Sequence, residues 1–185
     1  MTATTLSRTV SPRRSRKPAR QTAVRYSAQY SFLVISYGDE LCGDAAASAL
    51  VARTVASWHL PEVKTITIPQ LLPELATEIA KVDYVIFVGV CPEESRARTV
   101  QLSPISASSA GSATTLPHAH SVQGLLLLTQ KLYGHTPPAW LLQLPTESFN
   151  IGEQLSSTAQ RGSDEAIQTI ERFLVNYQVP YPAAL

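Results

Sequence analysis

The segment Asp83–Val90 is the most continuous apolar stretch of the chain, with Tyr, Val, Ile, Phe, Val, Gly and Val following the aspartate. It is short for a helix and rich in β-branched and aromatic residues, so it predicts a strand. Apolar side chains at both odd and even positions indicate that both faces of this strand are buried. Such a strand belongs in the middle of a parallel sheet. The rest of the chain must therefore supply helices that cover both faces.

The remaining patterns alternate between strands and helices. Strands are predicted at residues 31–36, 63–68, 83–90 and 139–144, with a further one at 98–103. Amphipathic helices are predicted at residues 44–58, from Pro69 through Ile79, at 121–133 before Gly134, and at 163–177. Residues 104–117, rich in Ser, Ala, Gly and Thr, are predicted to form a loop. The order predicts an α/β fold, a three-layer α/β/α domain around a mostly parallel, twisted sheet of about five strands, of the phosphorylase/hydrolase-like type.

Charge is unevenly divided along the 185 residues. Residues 1–28 hold seven of the fifteen basic residues and no acid, whereas the rest of the chain carries a net charge of −6. Because residues 1–28 contain few large apolar side chains, they are predicted to form a disordered basic tail. A transit-like peptide and a basic arm that docks acidic partners are the alternatives. The domain is expected at residues 29–178, with a C-terminal tail at 179–185.

The composition excludes several classes of protein. No apolar run approaches the roughly 20 residues that span a bilayer, and the acidic body argues against a nucleic-acid partner. Two cysteines, Cys42 and Cys91, are too few for a disulfide framework or a Cys-only zinc site. No apolar segment follows the basic start, so a secretory signal is not expected. We therefore expect a cytoplasmic monomer without nucleic-acid or membrane partners.

Polar side chains collect in three loops that should leave the carboxyl ends of strands, at residues 37–44, 89–96 and 116–121. In open α/β sheets ligands bind at that edge. The first loop lacks the glycine and lysine spacing of a phosphate-binding loop. The candidate binding residues in these loops are Asp39, Cys42, Asp44, Cys91, His118 and His120.

Motifs in these loops and between them resemble those of the hydrogenase maturation proteases, most closely the cyanobacterial type. The segment Tyr37-Gly-Asp-Glu-Leu-Cys-Gly-Asp44 is similar to the family's opening motif, Gly-x-Gly-Asn-x-Leu-x-x-Asp-Asp/Glu-x-x-Gly. Further matches follow in order at Gln70–Ala76, Asp83–Val88, Cys91-Pro92, His118, Leu125–Pro137 and Phe149–Ser156. The resemblance covers residues 31–176.

Membership of that family implies a hydrolase with a defined substrate. The family's enzymes are endopeptidases that remove a short C-terminal peptide from the precursor of the [NiFe]-hydrogenase large subunit. Nickel is carried by this precursor, and two carboxylates and one histidine of the protease form a site for it. The resemblance thus implies nickel, held by the substrate, and the large-subunit precursor as partner.

The ligand positions of this chain depart from the family pattern. The resemblance places the histidine ligand at His118, and the two carboxylate positions at Ala45 and Gly89, whose side chains cannot coordinate a metal. Asp39 stands at the motif's Asn, and Ser48 at its closing Gly.

Substitute ligands are conceivable from the residues themselves. Asp44 adjoins Ala45 and is a weak substitute, although it is better placed to cap the following helix. Cys42 and Cys91 with His118 or His120 would be a chemically reasonable replacement site. Two interpretations stay open: an endopeptidase with altered ligands, and a catalytically degenerate member, a pseudoenzyme, that acts as a binding or assembly protein.

Overall fold

Five strands form one sheet in the computed structural model of the protein, which describes residues 30–91, 99–107 and 121–177. In chain order they are β1 (Phe32–Tyr37), β2 (Val63–Ile68), β3 (Tyr84–Val90), β4 (Gln101–Ile105) and β5 (Ala139–Leu144). Their spatial order is β2-β1-β3-β5-β4. The first four strands of that order are parallel, and β4 pairs antiparallel with β5. The predicted central position of residues 83–90 is confirmed.

Helices cover both faces of this sheet. They are α1 (Ala46–Ser57), α2 (Leu75–Ile79), α3 (Val122–Tyr133) and α4 (Ser157–Asn176). Helices α1 and α4 pack on one face, and α2 and α3 pack on the other. The predicted three-layer α/β fold with a mostly parallel sheet is therefore confirmed. Within the described ranges, no helix is both long and apolar enough to cross a membrane.

The side chains of strand β1 pack alternately into the two hydrophobic cores on either face of the sheet. Phe32 and Val34 pack into the core beneath α1 and α4. Leu33 and Ile35 pack into the core beneath α2 and α3. Because neighbouring side chains of a strand point to opposite faces, an unbroken apolar run is what a doubly covered strand requires.

Two predicted helix starts are wrong. Helix α2 begins at Leu75 rather than at Pro69. A residue before a proline is disfavoured in the helical region, so Leu72, which precedes Pro73, delays the start. Helix α4 begins at Ser157 instead of 163, because the hydroxyl of Ser156 accepts a hydrogen bond from the backbone N–H of Ala159 and caps the helix earlier.

The predicted strand at 98–103 lies instead at Gln101–Ile105 and includes Pro104, which the sequence pattern places in the following loop. Strand β4 stands at the edge of the sheet, next to β5 alone. Proline is tolerated on an edge strand because its missing N–H can face away from the neighbouring strand. Residues 108–117 of the predicted loop and the predicted tails at 1–28 and 179–185 lie outside the described residues.

Six aromatic side chains pack together where the strands begin. We call this group the amino-edge aromatic cluster, and its members are Tyr30, Phe32, Tyr84, Trp140, Phe173 and Tyr177. Its tightest pair is Tyr84 and Tyr177, whose ring centroids are 4.5 Å apart. The cluster anchors the end of α4 to the sheet, at the edge opposite the three polar loops.

Gly162 sets how closely α4 approaches the end of β5. A Cβ atom at this position would lie 2.6 Å from Cδ of Pro145. Gly162→Ala should therefore lower the free energy of unfolding by about 1–2 kcal/mol, although alanine normally stabilises a helix interior by about 1 kcal/mol relative to glycine. Urea unfolding tests this prediction. The exposed Asp164→Ala on the same helix is the control and should leave stability unchanged or slightly raised; stabilisation by Gly162→Ala would contradict the close packing.

Candidate functional site

The strand order predicts a crevice at the carboxyl edge of the sheet, between the loops that leave β1 and β3. After β1 the chain crosses to β2 on one side, and β3 lies on the other side of β1. Loops that leave β1 and β3 therefore diverge, which is the arrangement at which ligands bind in such sheets. In register, Ser36 of β1 pairs with Val88 of β3, so the next residues, Tyr37 and Gly89, stand side by side at the crevice.

The loop after β1 folds tightly back on itself. Gly38 has φ 143°, and a Cβ atom there would lie 3.1 Å from the carbonyl oxygen of Ala45. The hydroxyl of Ser48 lies 3.0 Å from the carbonyl oxygen of Tyr37 and 3.1 Å from that of Ala45. Ser48, at the motif's closing glycine, thus ties the end of β1 to the start of α1.

Asp44 is a fully buried carboxylate that joins this loop to a distant segment. Its Oδ2 accepts hydrogen bonds from the backbone N–H groups of Glu147 at 2.6 Å and Ser148 at 3.1 Å, and from the hydroxyl of Ser156 at 2.7 Å. Its Oδ1 accepts from the backbone N–H of Ser156 at 2.7 Å. We call these four bonds the Asp44 network. It holds the 147–156 segment and the start of α4 against the loop after β1.

The sequence predicts that Asp44 caps the following helix, and the structure gives it a different role. Asp44 lies in a 3₁₀ turn, Gly43–Ala45, and its carboxylate bonds to the 147–156 segment instead of capping α1. Three of the four donors converge on Oδ2 and one bonds to Oδ1. A metal ion at Asp44 would have to compete with these hydrogen bonds for the carboxylate.

The charge of Asp44 is stabilised in this environment. Burial is the largest single influence and by itself raises the pKa, but the hydrogen bonds from Glu147, Ser156 and Ser148 together outweigh it and lower the pKa of the carboxyl below its ordinary value. A group with a lowered pKa adds stability at neutral pH and loses it as the pH falls through the folded-state value.

Further contacts reinforce the same junction. Cys42 and Ile151 form an isolated antiparallel bridge, and the N–H of Gly152 donates to the carbonyl of Leu41 at 2.9 Å. The side chains of Leu41 and Ile151 are exposed by 70% and 81%, respectively. Two motif segments about one hundred residues apart thus share one rim of the crevice.

Tyr37 occupies the place beside β3 where the resemblance puts a carboxylate. A Cβ atom on Gly89 would lie 2.6 Å from both Cζ and the hydroxyl oxygen of Tyr37. The phenol ring therefore rests directly on the backbone of Gly89. Burial, and secondarily the neighbouring Cys91, raise the pKa of Tyr37 to about 12, above the value of about 10 for an ordinary tyrosine.

The other candidate residues fall at different depths. Ala45 is buried, and Cys91 is buried beside β5, with burial raising its thiol pKa. Cys42 is half-buried, and its Sγ lies 3.6 Å from Oδ2 of Asp39. The other carboxylate oxygen of Asp39 accepts from the N–H of Leu41 and shapes the turn.

Two candidate residues, His118 and His120, lie outside the described part of the chain. Among the residues that are described, no three His, Cys, Asp or Glu side chains converge in a way that could hold a metal ion. Ala45 and Gly89 supply no donor atom at the family's carboxylate positions.

Sequence reasoning missed two features of the site. The sequence places Tyr37 in a motif but does not show that its ring lies in the crevice. The only signal was an aromatic residue at the end of one strand and a glycine in another, which matters once the two strands are known to be neighbours. The backbone donors at Glu147 and Ser148 carry no side-chain signal at all.

Comparison with solved structures identifies the architecture. The hydrogenase maturating endopeptidase HybD from Escherichia coli superposes with a TM-score of 0.65 and 18% identity, covering 79% of this chain and 93% of that one. The [NiFe] hydrogenase maturation protease HycI from Thermococcus kodakarensis gives a TM-score of 0.61 and 19% identity, covering 80% and 96%. An endopeptidase from Escherichia coli gives 0.63 and 18%, covering 82% and 97%.

This chain has the fold of the hydrogenase maturation proteases. At these identities the likeness establishes the fold, and the resemblance seen in the sequence motifs is confirmed at that level. No protein-family profile and no curated protein sequence matches the chain. Function must therefore be argued from the crevice.

Asp44→Asn tests the Asp44 network. An amide presents an NH₂ group to backbone donors and carries no charge, so the free energy of unfolding should fall by about 3 kcal/mol at pH 7. Urea unfolding at several pH values measures this loss, with exposed Asp164→Asn as control. The difference should shrink as the pH falls from the ordinary aspartate value of about 3.9 through the lower folded-state pKa of Asp44. A difference independent of pH would contradict a charged Asp44.

Tyr37 should titrate later than an ordinary tyrosine. We expect the ring-carbon resonance that disappears in Tyr37→Phe to report a pKa of about 12 in an NMR titration of ¹³C-labelled tyrosine. Gly89→Ala should displace the ring towards solvent and bring this pKa down towards about 10. An unchanged titration in Gly89→Ala would mean that the ring does not rest on residue 89.

Proposed function

We propose that this chain acts on the C-terminal segment of a [NiFe]-hydrogenase large-subunit precursor, as a maturation endopeptidase. The observation that carries this proposal is the extent of the shared fold, which spans 93% of HybD and 96% of HycI. The unit corresponding to a whole maturation protease is thus present. The crevice at its carboxyl edge is the natural place for a peptide substrate.

The arrangement of the rim supports peptide binding. The Asp44 network brings the 41–45 and 147–156 segments together, and the exposed apolar side chains of Leu41 and Ile151 lie on these two segments, next to the Cys42–Ile151 bridge. Exposed apolar side chains can be buried by a peptide that binds against them. We further propose that the protein works as a cytoplasmic monomer.

Under our proposal, this chain does not hold nickel through the two carboxylate positions of the family. Nickel travels with the precursor and is part of the substrate. The described residues at the two carboxylate positions, Ala45 and Gly89, offer a methyl group and a hydrogen atom, which are not ligands for a borderline metal. We therefore derive no step through nickel coordination by these positions.

A second candidate function follows from one observation. The Tyr37 ring lies on Gly89, so the crevice is partly filled at the point where the family places a metal-binding group. A protein with this change can bind the precursor and assist assembly without cutting it. This candidate is the catalytically degenerate alternative.

Intact mass of the precursor separates the two candidates. The nickel-loaded precursor is incubated with the protein, and its mass and its association with the protein are measured together by denaturing and native mass spectrometry. Loss of a C-terminal peptide is expected for the endopeptidase. A complex with a full-length precursor supports the binding protein.

The control for this experiment is Asp164→Ala, which changes an exposed position on α4 away from the crevice. It should behave like the unaltered protein. An outcome with no cleavage and no association would contradict both candidates.

A further inference from the structure

The crevice presents an aromatic surface at the point where β1 and β3 separate. Tyr37 is the last residue of β1, and its ring covers Gly89 of β3 so closely that even one added carbon would collide with it. On the other side of the loop, the methyl group of Ala45 is buried at 5% exposure. The described groups around this point include a phenol, a glycine backbone, a methyl group and the neighbouring thiol of Cys91, whose pKa is raised by burial.

These groups are poorly suited to hold a cation. The phenol is neutral at physiological pH, as an ordinary tyrosine is, and burial raises its pKa further, to about 12. A protonated phenol is a weak metal ligand, and the carboxylate of Asp44 already accepts hydrogen bonds from four protein donors. A flat ring with a hydroxyl group is instead well suited to a peptide, since it offers apolar contact area and one hydrogen bond.

We infer that this chain recognises the peptide of the precursor without coordinating the nickel that the precursor carries, and that Tyr37, seated on Gly89, is a substrate-contacting residue there. The inference rests on the proposed function and deepens it. It makes Tyr37 a specificity-determining residue. Because the described residues at the two carboxylate positions contribute no ligand, we expect nickel-loaded and nickel-free precursors to bind about equally well.

Binding of the two forms of precursor tests this inference. Dissociation constants of the nickel-loaded and the nickel-free precursor are measured for the full chain and should agree within about twofold, because a partner that makes no contact with the metal cannot distinguish them. Tyr37→Ala should weaken both by about tenfold, as expected for a central aromatic contact. Tyr37→Phe should retain most of the binding, since it keeps the ring.

Each outcome bears on a different claim. A preference of about tenfold or more for the loaded precursor would overturn the inference and leave the proposed function standing. Equal binding that is unaffected by Tyr37→Ala would overturn the role of Tyr37. If neither form of the precursor binds, the proposed function is contradicted, and the inference with it.

A second measurement uses the protein alone. A double variant carries Ala45→Asp and Gly89→Asp, which place carboxylates at the two family positions. A triple variant carries Tyr37→Ala in addition. Nickel ions are then titrated by calorimetry, and circular dichroism monitors folding. We expect nickel binding by the triple variant and none by the double variant, because the ring occupies the space that the residue 89 side chain needs.

Folding of the variants is controlled by Gly89→Ala with and without Tyr37→Ala. Gly89→Ala alone should lower the melting midpoint or displace the ring, and the added Tyr37→Ala should remove that effect. Equal nickel binding by the double and triple variants would show that the ring does not close this position and would overturn the inference.

Discussion

The buried carboxylate of Asp44 is the interaction on which the functional edge of this protein depends. It joins a loop that follows the first strand to a segment more than one hundred residues later, through two hydrogen bonds to Ser156 and one each to Glu147 and Ser148. The Ser156 hydroxyl in turn accepts the N–H of Ala159, so the same chain of bonds starts α4. A buried charge is costly unless it is fully hydrogen-bonded, and here every donor comes from the segment that it positions.

The position of the crevice is set by the fold and not by the side chains at positions 45 and 89. The strand order and the Asp44 network give the crevice its position and rim, and neither depends on the side chains at positions 45 and 89. Gly89 lets the Tyr37 ring lie against β3, and the ring then takes up the volume of an absent side chain. The absence of a side chain at residue 89 and the contact of the Tyr37 ring with β3 thus depend on each other. Fold similarity to HybD and HycI is fully compatible with this difference.

Local patterns predict the fold well and the site poorly, for a physical reason. Periodicity and apolar continuity report burial, so β2 falls at the predicted residues 63–68 and β3 at the predicted centre of the sheet. Helix starts are governed by single residues, and Pro73 and Ser156 shift two of them. The site depends on contacts between residues far apart in sequence, such as Tyr37 with Gly89, which no local pattern encodes. The family resemblance pointed to positions 45 and 89 but could not show what fills them.

Hydrogen–deuterium exchange of the full chain with and without the large-subunit precursor tests most directly whether the carboxyl-edge crevice is the functional surface. The account predicts slower exchange on binding in the 37–45 and 147–156 segments, with exchange around the amino-edge aromatic cluster unchanged. Protection confined to the amino-edge aromatic cluster, with both rim segments exchanging as in the free protein, would contradict it.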